Sequence, residues 1–255
     1  MSLEKNMGEK INPEAFQEMA EIESRLWWFR GRRAIISTVL DSFSLNKNAK
    51  ILEVGCGTGG NLEMLGNYGI VSAFEMNEVA HKIAIKKSKG RHDVRVGTCP
   101  NSIPFENKEF DLICMFDVLE HIPNDLDTLC QLKNYLGPNG LLFITVPAYQ
   151  MLYGQHDIYL HHERRYSKSQ LFRLIDRAGF EPVKITYFNT FLFPLALLIR
   201  IKNKLLKNSL SSGTGIPNVI INNIFEYLFS LEKHLLKRYN LPFGLSLLGV
   251  FYEKK

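Results

Sequence analysis

Two short runs in this chain hold the residue types that do chemistry. The first is Ile51-Leu52-Glu53-Val54-Gly55-Cys56-Gly57-Thr58-Gly59-Gly60-Asn61, an apolar stretch that runs into closely spaced glycines. Glycine at those positions lets the backbone turn sharply and lets a ligand approach without meeting a Cβ. A helix beginning there aims free N–H groups at a polar or anionic group. The second run, Asp117-Val118-Leu119-Glu120-His121, puts two carboxylates and an imidazole side by side. With an unperturbed pKa of about 6.5, His121 is the natural general base at neutral pH. The bland reading is that Glu120 and His121 cap the helix that follows.

A third run, His156-Asp157-Ile158-Tyr159-Leu160-His161-His162-Glu163-Arg164-Arg165-Tyr166, is dense in titratable groups and unlike a routine connector. His156, His161 or His162 can add to the Asp117–His121 set. Arg164 and Arg165 suit a bidentate clamp on a phosphate or carboxylate, or they pair with Glu163 and Asp157.

The elements that must position these runs follow from periodicity. A helical pattern spans 14–41, and strand, turn and helix follow over 51–66. A strand at 70–74 ends on Glu75, Glu78–Lys89 reads as a helix and Val94–Val96 as a strand. Leu112–Phe116 is the continuous apolar run of a parallel strand covered on both faces. Asp125–Leu136 reads as a helix stopped by Gly137-Pro138-Asn139-Gly140, with Leu141–Val146 the next strand. Ser167–Ala178 is a helix, Pro182–Tyr187 a strand, and Leu245–Tyr252 the last strand. Alternation of this kind predicts an α/β fold, a Rossmann-like seven-stranded, mostly parallel sheet with helices on both faces. N-terminal helices and a helical insertion before the last strand are added to it. Ligands of such sheets gather at the carboxyl ends of the strands.

The glycine run fits two cofactor classes. Gly55, Gly57 and Gly60 satisfy a dinucleotide pattern, and Glu75 lies at the distance for a ribose contact. S-adenosylmethionine sites use the same strand–turn–helix design. Glu53 before the glycines, the Ile103-Pro104-Phe105 and Phe110-Asp111 segment leading to Asp117, and the closing C-terminal strand favour that second class. Through these motifs and Gly137–Gly140, over residues 51–147, the sequence resembles the class I S-adenosylmethionine-dependent methyltransferases of the ubiquinone-biosynthesis-like, type 11/12 small-molecule group.

The resemblance implies that Gly55, Gly57 and Gly59 pass under the methionine part of the cofactor, with Glu53, Cys56 and Asn61 beside it. It implies that Glu75 accepts from both ribose hydroxyls, that Met76 covers one face of the adenine, and that Asp117 borders the cofactor. Where many members place an aspartate for the adenine amine, this chain has Thr98 and then Cys99, whose backbone groups would serve instead. Catalysis would rest on His121, Glu120, Asp117 and His156. Asp117, Glu120 and His121 also resemble the cation-binding acid-x-x-Glu-His of some O-methyltransferases, although a divalent cation is not expected here. The implied activity is methyl transfer to an oxygen or nitrogen of a small metabolite, lipid-linked or glycosyl in kind, leaving S-adenosylhomocysteine. A nucleic-acid methyltransferase, a non-catalytic cofactor-binding partner and a dehydrogenase are the alternatives. No Asn/Asp-Pro-Pro-aromatic run follows the fourth strand and no RNA-binding module is visible, so no nucleic acid is expected.

The 255 residues suit one domain: an N-terminal helical lid over 1–45, a cofactor core over 46–150, and a substrate-side half over 151–255 with a helical cap at about 190–243. Trp27, Trp28 and Phe29 would belong to the lid, or simply pack the N-terminal helix. Cys56, Cys99, Cys114 and Cys130 show no metal spacing, and the opening residues show no leader pattern, so a cytoplasmic protein is expected. From Arg200 onward nine positive side chains face three negative ones, while the whole chain is only +5. Phe191–Ile199 is apolar but too short to span a bilayer, and Arg200, Lys202, Lys204 and Lys207 follow it. The segment 191–207 therefore reads as an interfacial helix for an anionic membrane surface, on the inner face in a cytoplasmic protein, or as a core or dimer-forming insertion. A second copy of the chain is the other candidate partner besides the small acceptor.

Overall fold

Apolar side chains on both sides of the central strands dictate a sheet buried from both faces. The computed structural model describes residues 13–105, 110–206 and 217–254. Strands β1 (Lys50–Val54), β2 (Ile70–Glu75), β3 (Asp93–Val96), β4 (Phe110–Phe116), β5 (Leu136–Pro147), β6 (Phe180–Phe188) and β7 (Ser246–Glu253) form one sheet in the order β3-β2-β1-β4-β5-β7-β6. Only β7 runs antiparallel to its neighbours, pairing Leu141 with Tyr252 on one side and Phe180 with Glu253 on the other. The expected seven-stranded α/β sheet is therefore present, and the C-terminal strand lies inside it.

The helices are α1 (Pro13–Ile22), α2 (Trp27–Leu40), α3 (Leu62–Leu65), α4 (Glu78–Ser88), α5 (Asp125–Lys133), α6 (Gln155–Tyr159), α7 (Lys168–Arg177), α8 (Phe193–Leu206) and α9 (Val219–Leu236). Local chemistry sets their ends. Asn77 accepts from the N–H groups of Val79 and Ala80 to cap α4. Ser167 and Gln170 form a reciprocal capping box on α7. The N-terminal pattern expected as one helix is two, broken at 23–26. The Ser211–Gly215 loop read from the sequence lies outside the described residues.

Gly137-Pro138-Asn139-Gly140 does not stop a helix as expected. Helix α5 ends at Lys133, and β5 already pairs with Phe110 at Leu136. The next partners are Leu112 and Leu141, so the four residues bulge out of the β4–β5 ladder. Pro138 lacks a donor and Asn139 takes φ +62°, both of which a ladder tolerates only at such a bulge.

Helix α2 packs along α9, with the Phe229 ring set against Gly31. A Cβ there would lie 2.4 Å from the ring of Phe229. That ring is fully buried and packs in a three-ring cluster against Trp28 and Phe188, at centroid distances of 5.3 and 6.1 Å, so it has little room to move. Trp27 packs edge-on to Phe225 and Phe229. The tryptophans are thus joint residues between two helices. The start of α2 has no cap of its own. Asn222 of α9 supplies one, accepting from Trp27 N–H at 2.9 Å and donating to the Arg25 carbonyl. At the other end of α9, buried Glu232 accepts from Phe191 N–H at 2.8 Å and so ties in the entry to α8. Gly31→Ala forces Phe229 out of its stack, at a cost of about 1–3 kcal/mol. Chemical denaturation should show that loss, while Ala34→Gly on the same helix should cost no more than about 1 kcal/mol.

Candidate active site

Strands β1 and β4 are parallel neighbours, but the chain leaves them in opposite directions, to β2 and to β5. The crevice outside the carboxyl ends of such a pair is where open α/β sheets bind ligands. Here it holds both runs: the glycine loop after β1 and Asp117–His121 after β4. The two touch, because a Cβ on Gly55 would lie 3.0 Å from both methyl groups of Val118.

In the glycine loop Gly55, Gly57 and Gly59 have φ of +65°, +55° and +79°, values that strain any other residue. A Cβ on Gly57 would meet nothing within 4 Å, so that stretch of loop has an open face. Cys56 N–H donates to the Phe74 carbonyl, pinning the loop to β2, and burial pushes its thiol pKa up. Glu75, at the end of β2, accepts from Gly57 N–H at 2.9 Å and Asn77 N–H at 2.8 Å. Burial raises its pKa and those amides pull it down. Met76 follows, half-buried at the sheet end. Glu53 Oε1 accepts from Asn61 Nδ2 at 2.8 Å, while Glu53 Oε2 and Asn61 Oδ1 are buried without a hydrogen-bond partner. Desolvation pushes Glu53 up to about 7. Two orphaned acceptors beside an open glycine loop suit an ammonium group, and the Glu75 carboxylate at the neighbouring strand end suits a diol. The residues present therefore fit S-adenosylmethionine. Thr98 exchanges both backbone hydrogen bonds with Ser102, so its own amide and carbonyl are engaged within the loop, and Cys99 packs against the core.

Across the crevice, Asp117 has φ +58° and its carboxylate accepts a charge-assisted hydrogen bond from Arg32 of α2. Sequence reasoning missed Arg32. The signal was there: Arg32, Ile35, Ile36 and Val39 form one helical stripe, so a cation stands on the core face. Glu120 and His121 occupy a short 3-10 turn, Leu119–His121. Glu120 is fully buried, and neither carboxylate oxygen has a hydrogen-bond partner. Desolvation and then Asp117 hold its pKa well above the usual range. Burial and the neighbouring His162 lower His121 to about 4, so its ring is neutral at physiological pH.

The third run is strapped onto this turn. Glu163 N–H donates to the Glu120 carbonyl, and Arg164 donates to the carbonyls of Ile122 and Pro123. Arg165 is buried against Asp157 and the Ala148 carbonyl. Both arginines are thus committed to internal partners rather than set out as an anion clamp. His162 comes within reach of the site, with its ring edge-on to His121 at 4.7 Å between centroids. Among the described residues the groups brought together are Glu120, His121 and His162. His156, on α6, and Asp117 stand outside that set.

These features define a Rossmann-like methyltransferase fold with the donor loop and a polar cluster facing one crevice. A model of the family "Methyltransferase domain" matches residues 28–185, and the chain belongs to that family of S-adenosylmethionine-dependent enzymes. It is 25% identical over 182 residues to the demethylmenaquinone methyltransferase of Staphylococcus saprophyticus, covering 59% of this chain and 78% of that protein. It is 31% identical over 119 residues to the ubiquinone biosynthesis O-methyltransferase of Glaesserella parasuis, covering 40% of this chain and about half (49%) of that protein's length. Among solved structures, a putative sarcosine dimethylglycine methyltransferase from Galdieria sulphuraria shares the fold with a TM-score of 0.58 at 17% identity, over 86% of this chain and 84% of that one.

The donor half of the site makes one demand on Glu75. Replacing it with alanine removes the acceptor at the end of β2 and frees the Gly57 amide. Hydrogen bonds to charged groups contribute about 1.5–3 kcal/mol each, so S-adenosylhomocysteine affinity should fall roughly 10- to 100-fold by calorimetry.

Proposed function

We propose that this enzyme methylates a hydroxyl oxygen on a small, lipid-linked aromatic metabolite of the quinone type. The observation that carries the choice of oxygen is the buried Glu120–His121–His162 cluster beside the donor loop, a place for the proton that a hydroxyl must lose. The names of the quinone-related relatives support the acceptor class. Bound S-adenosylmethionine supplies a sulfonium methyl group open to in-line displacement. The chain's own residues do the rest. The glycine loop and Glu75 fix the donor, and Arg32 holds Asp117 so that the strand end keeps its shape. The acceptor proton passes to the neutral His121 ring, which lies against His162 and buried Glu120. The oxygen lone pair forms the new bond to the methyl carbon as the carbon–sulfur bond breaks, and sulfur leaves as a neutral thioether.

Turnover of catechol- and quinol-type acceptors with labelled donor tests the reading. His121→Ala should lower kcat by about 10²- to 10⁴-fold with S-adenosylhomocysteine affinity unchanged. A kcat within threefold of the parent would remove the cluster from the proton's path.

The lipid-linked part of the proposal rests on the cap. Helix α8 bears exposed Leu195, Leu198 and Ile199, and α9 bears Val219, Ile220, Ile221 and Ile224. No Asp or Glu occurs from 191 to 225, while Arg200, Lys202, Lys204 and Lys207 do. Among the described residues no helix is long and apolar enough to cross a membrane. Apolar side chains with a cationic stretch and no compensating acid fit a helix lying in the interface of an anionic bilayer. In flotation with phosphatidylglycerol vesicles the protein should rise with the lipid at low salt and be largely released near 0.5 M salt, by roughly complete screening of surface charge. A protein that stays at the bottom, or that self-associates instead, assigns the apolar faces to an internal or dimer role.

A further inference from the structure

The donor loop is held from two sides. Cys56 N–H and Gly57 N–H tie its first half to β2, through the Phe74 carbonyl and the Glu75 carboxylate. Its second half, Thr58 to Gly60, is met by residues that precede the sheet in sequence. Glu23, just past the end of α1, is 6% exposed, and its Oε2 accepts from the Thr58 hydroxyl at 2.9 Å. Thr58 is itself buried, so losing that acceptor strands its hydroxyl away from solvent. The same carboxylate oxygen fills the space that Gly60 leaves, since a Cβ there would lie 2.3 Å from it. Gly55, Gly57 and Gly59 are glycines because of their positive φ. Gly60 is a glycine because a carboxylate from outside the loop lies against it.

The other carboxylate oxygen completes a seat for α1. Glu23 Oε1 pairs with the Lys87 ammonium of α4, which also donates to the Ala20 carbonyl in the last turn of α1 at 3.2 Å. Arg33 of α2 donates to the Glu23 carbonyl at 2.8 Å and reaches the Gly60 carbonyl at 3.5 Å. Carbonyls at a helix C-terminus need such donors from outside the helix. Beside Glu23 lies a cavity of about 610 Å³, lined in part by Ser24, Arg33, Ser37, Asn67 and Lys87. On this side α1 is held by an ion pair and hydrogen bonds around a cavity, the kind of junction that opens locally at small cost.

We propose that Glu23 is a positioning residue of the donor site and couples the seating of α1 to cofactor binding. It acts through Thr58 and Gly60, holding the second half of the loop in the shape whose open face receives S-adenosylmethionine. Glycine backbone has little preference of its own, so the shape must be imposed by neighbours. A group shared by two elements links their equilibria, and the linkage is reciprocal. Bound cofactor favours the seated helix as much as the seated helix favours the cofactor.

Calorimetry with S-adenosylhomocysteine and hydrogen exchange of the α1 amides, both on the full-length protein, test the two halves. Glu23→Ala should weaken S-adenosylhomocysteine binding about 10- to 100-fold, because Thr58 is stranded and the loop is freed. Glu23→Gln keeps an oxygen for Thr58 but loses the charge that holds Lys87, so it should weaken binding by only roughly 3- to 10-fold. Glu21→Gln, at an exposed acid on the same helix, should stay within about twofold. In the parent, saturating S-adenosylhomocysteine should slow exchange of the amides of 17–22 by at least about fivefold, and in Glu23→Ala it should leave them unchanged. A tie that only seats the helix lowers stability and leaves the Glu23→Ala affinity within about threefold of the parent, which overturns the proposal. So does exchange in the parent that ignores the ligand, and so does slowing that persists in full in Glu23→Ala. Should Glu23→Ala not fold by circular dichroism, Thr58→Val decides, because it removes the hydroxyl and leaves the Lys87 pair in place. It should weaken binding roughly 3- to 10-fold, and an unchanged affinity overturns the proposal.

Discussion

The parallel pairing of β1 with β4 is the constraint on which the rest of this structure depends. Because the chain departs from the two strands in opposite directions, a gap opens beyond their carboxyl ends that no crossover helix covers. The residues that line this gap are delivered to it by strand ends or the turns after them. Glu53, Gly55 and Gly57 come from β1, Glu75 from β2, and Asp117, Glu120 and His121 from β4. The register is tight enough that Gly55 and Val118 meet in van der Waals contact. A side chain at residue 55 would push apart the two loops that meet there.

Around that gap the chain concentrates groups that weaken a fold when considered alone. Glu53, Glu120, Asp157, Arg32 and Arg165 are all buried, and taking charge out of water is expensive unless the partners are good. Some are well matched: Arg32 with Asp117, and Asp157 with His162 and Arg165. Others, above all Glu120 and the outer oxygen of Glu53, are left unmatched within the protein. Matched pairs lock the walls of the site, and the unmatched oxygens of Glu53 and Glu120 lie along it.

Much of this was legible in the sequence. Strand order cannot be read from composition, yet the alternation of apolar runs and helical stripes was enough for a seven-stranded sheet with its last strand at the C terminus. The glycine loop and the polar run after β4 announced themselves by type and spacing. What was not legible depends on distance along the chain. That His162 rather than Asp117 joins Glu120 and His121 follows from the strap of Glu163 and Arg164 across the turn after β4. That Arg164 is an internal brace follows from carbonyls some forty residues away, which no local window contains, whereas the Arg165–Asp157 pair was one of the two readings the run itself offered. Gly137–Gly140 misled for a different reason: Gly, Pro and Asn mark a bulge as readily as a helix end, and only the ladder decides between them.

The joint between α2 and α9 adds a dimension of time to this molecule. Asn222 caps a helix that begins 195 residues earlier, and Phe229 fills the notch left by Gly31. At roughly 5–20 residues per second, a ribosome delivers the second half of that joint about 10–40 seconds after the first. During that interval Ile35, Ile36 and Val39 of α2 have the β1 and β4 side chains Ile51 and Leu112 to pack on, but Phe229 and the Asn222 cap are still to come. The first turn of α2, from Trp27 to Gly31, is therefore among the first segments synthesised and among the last to be seated.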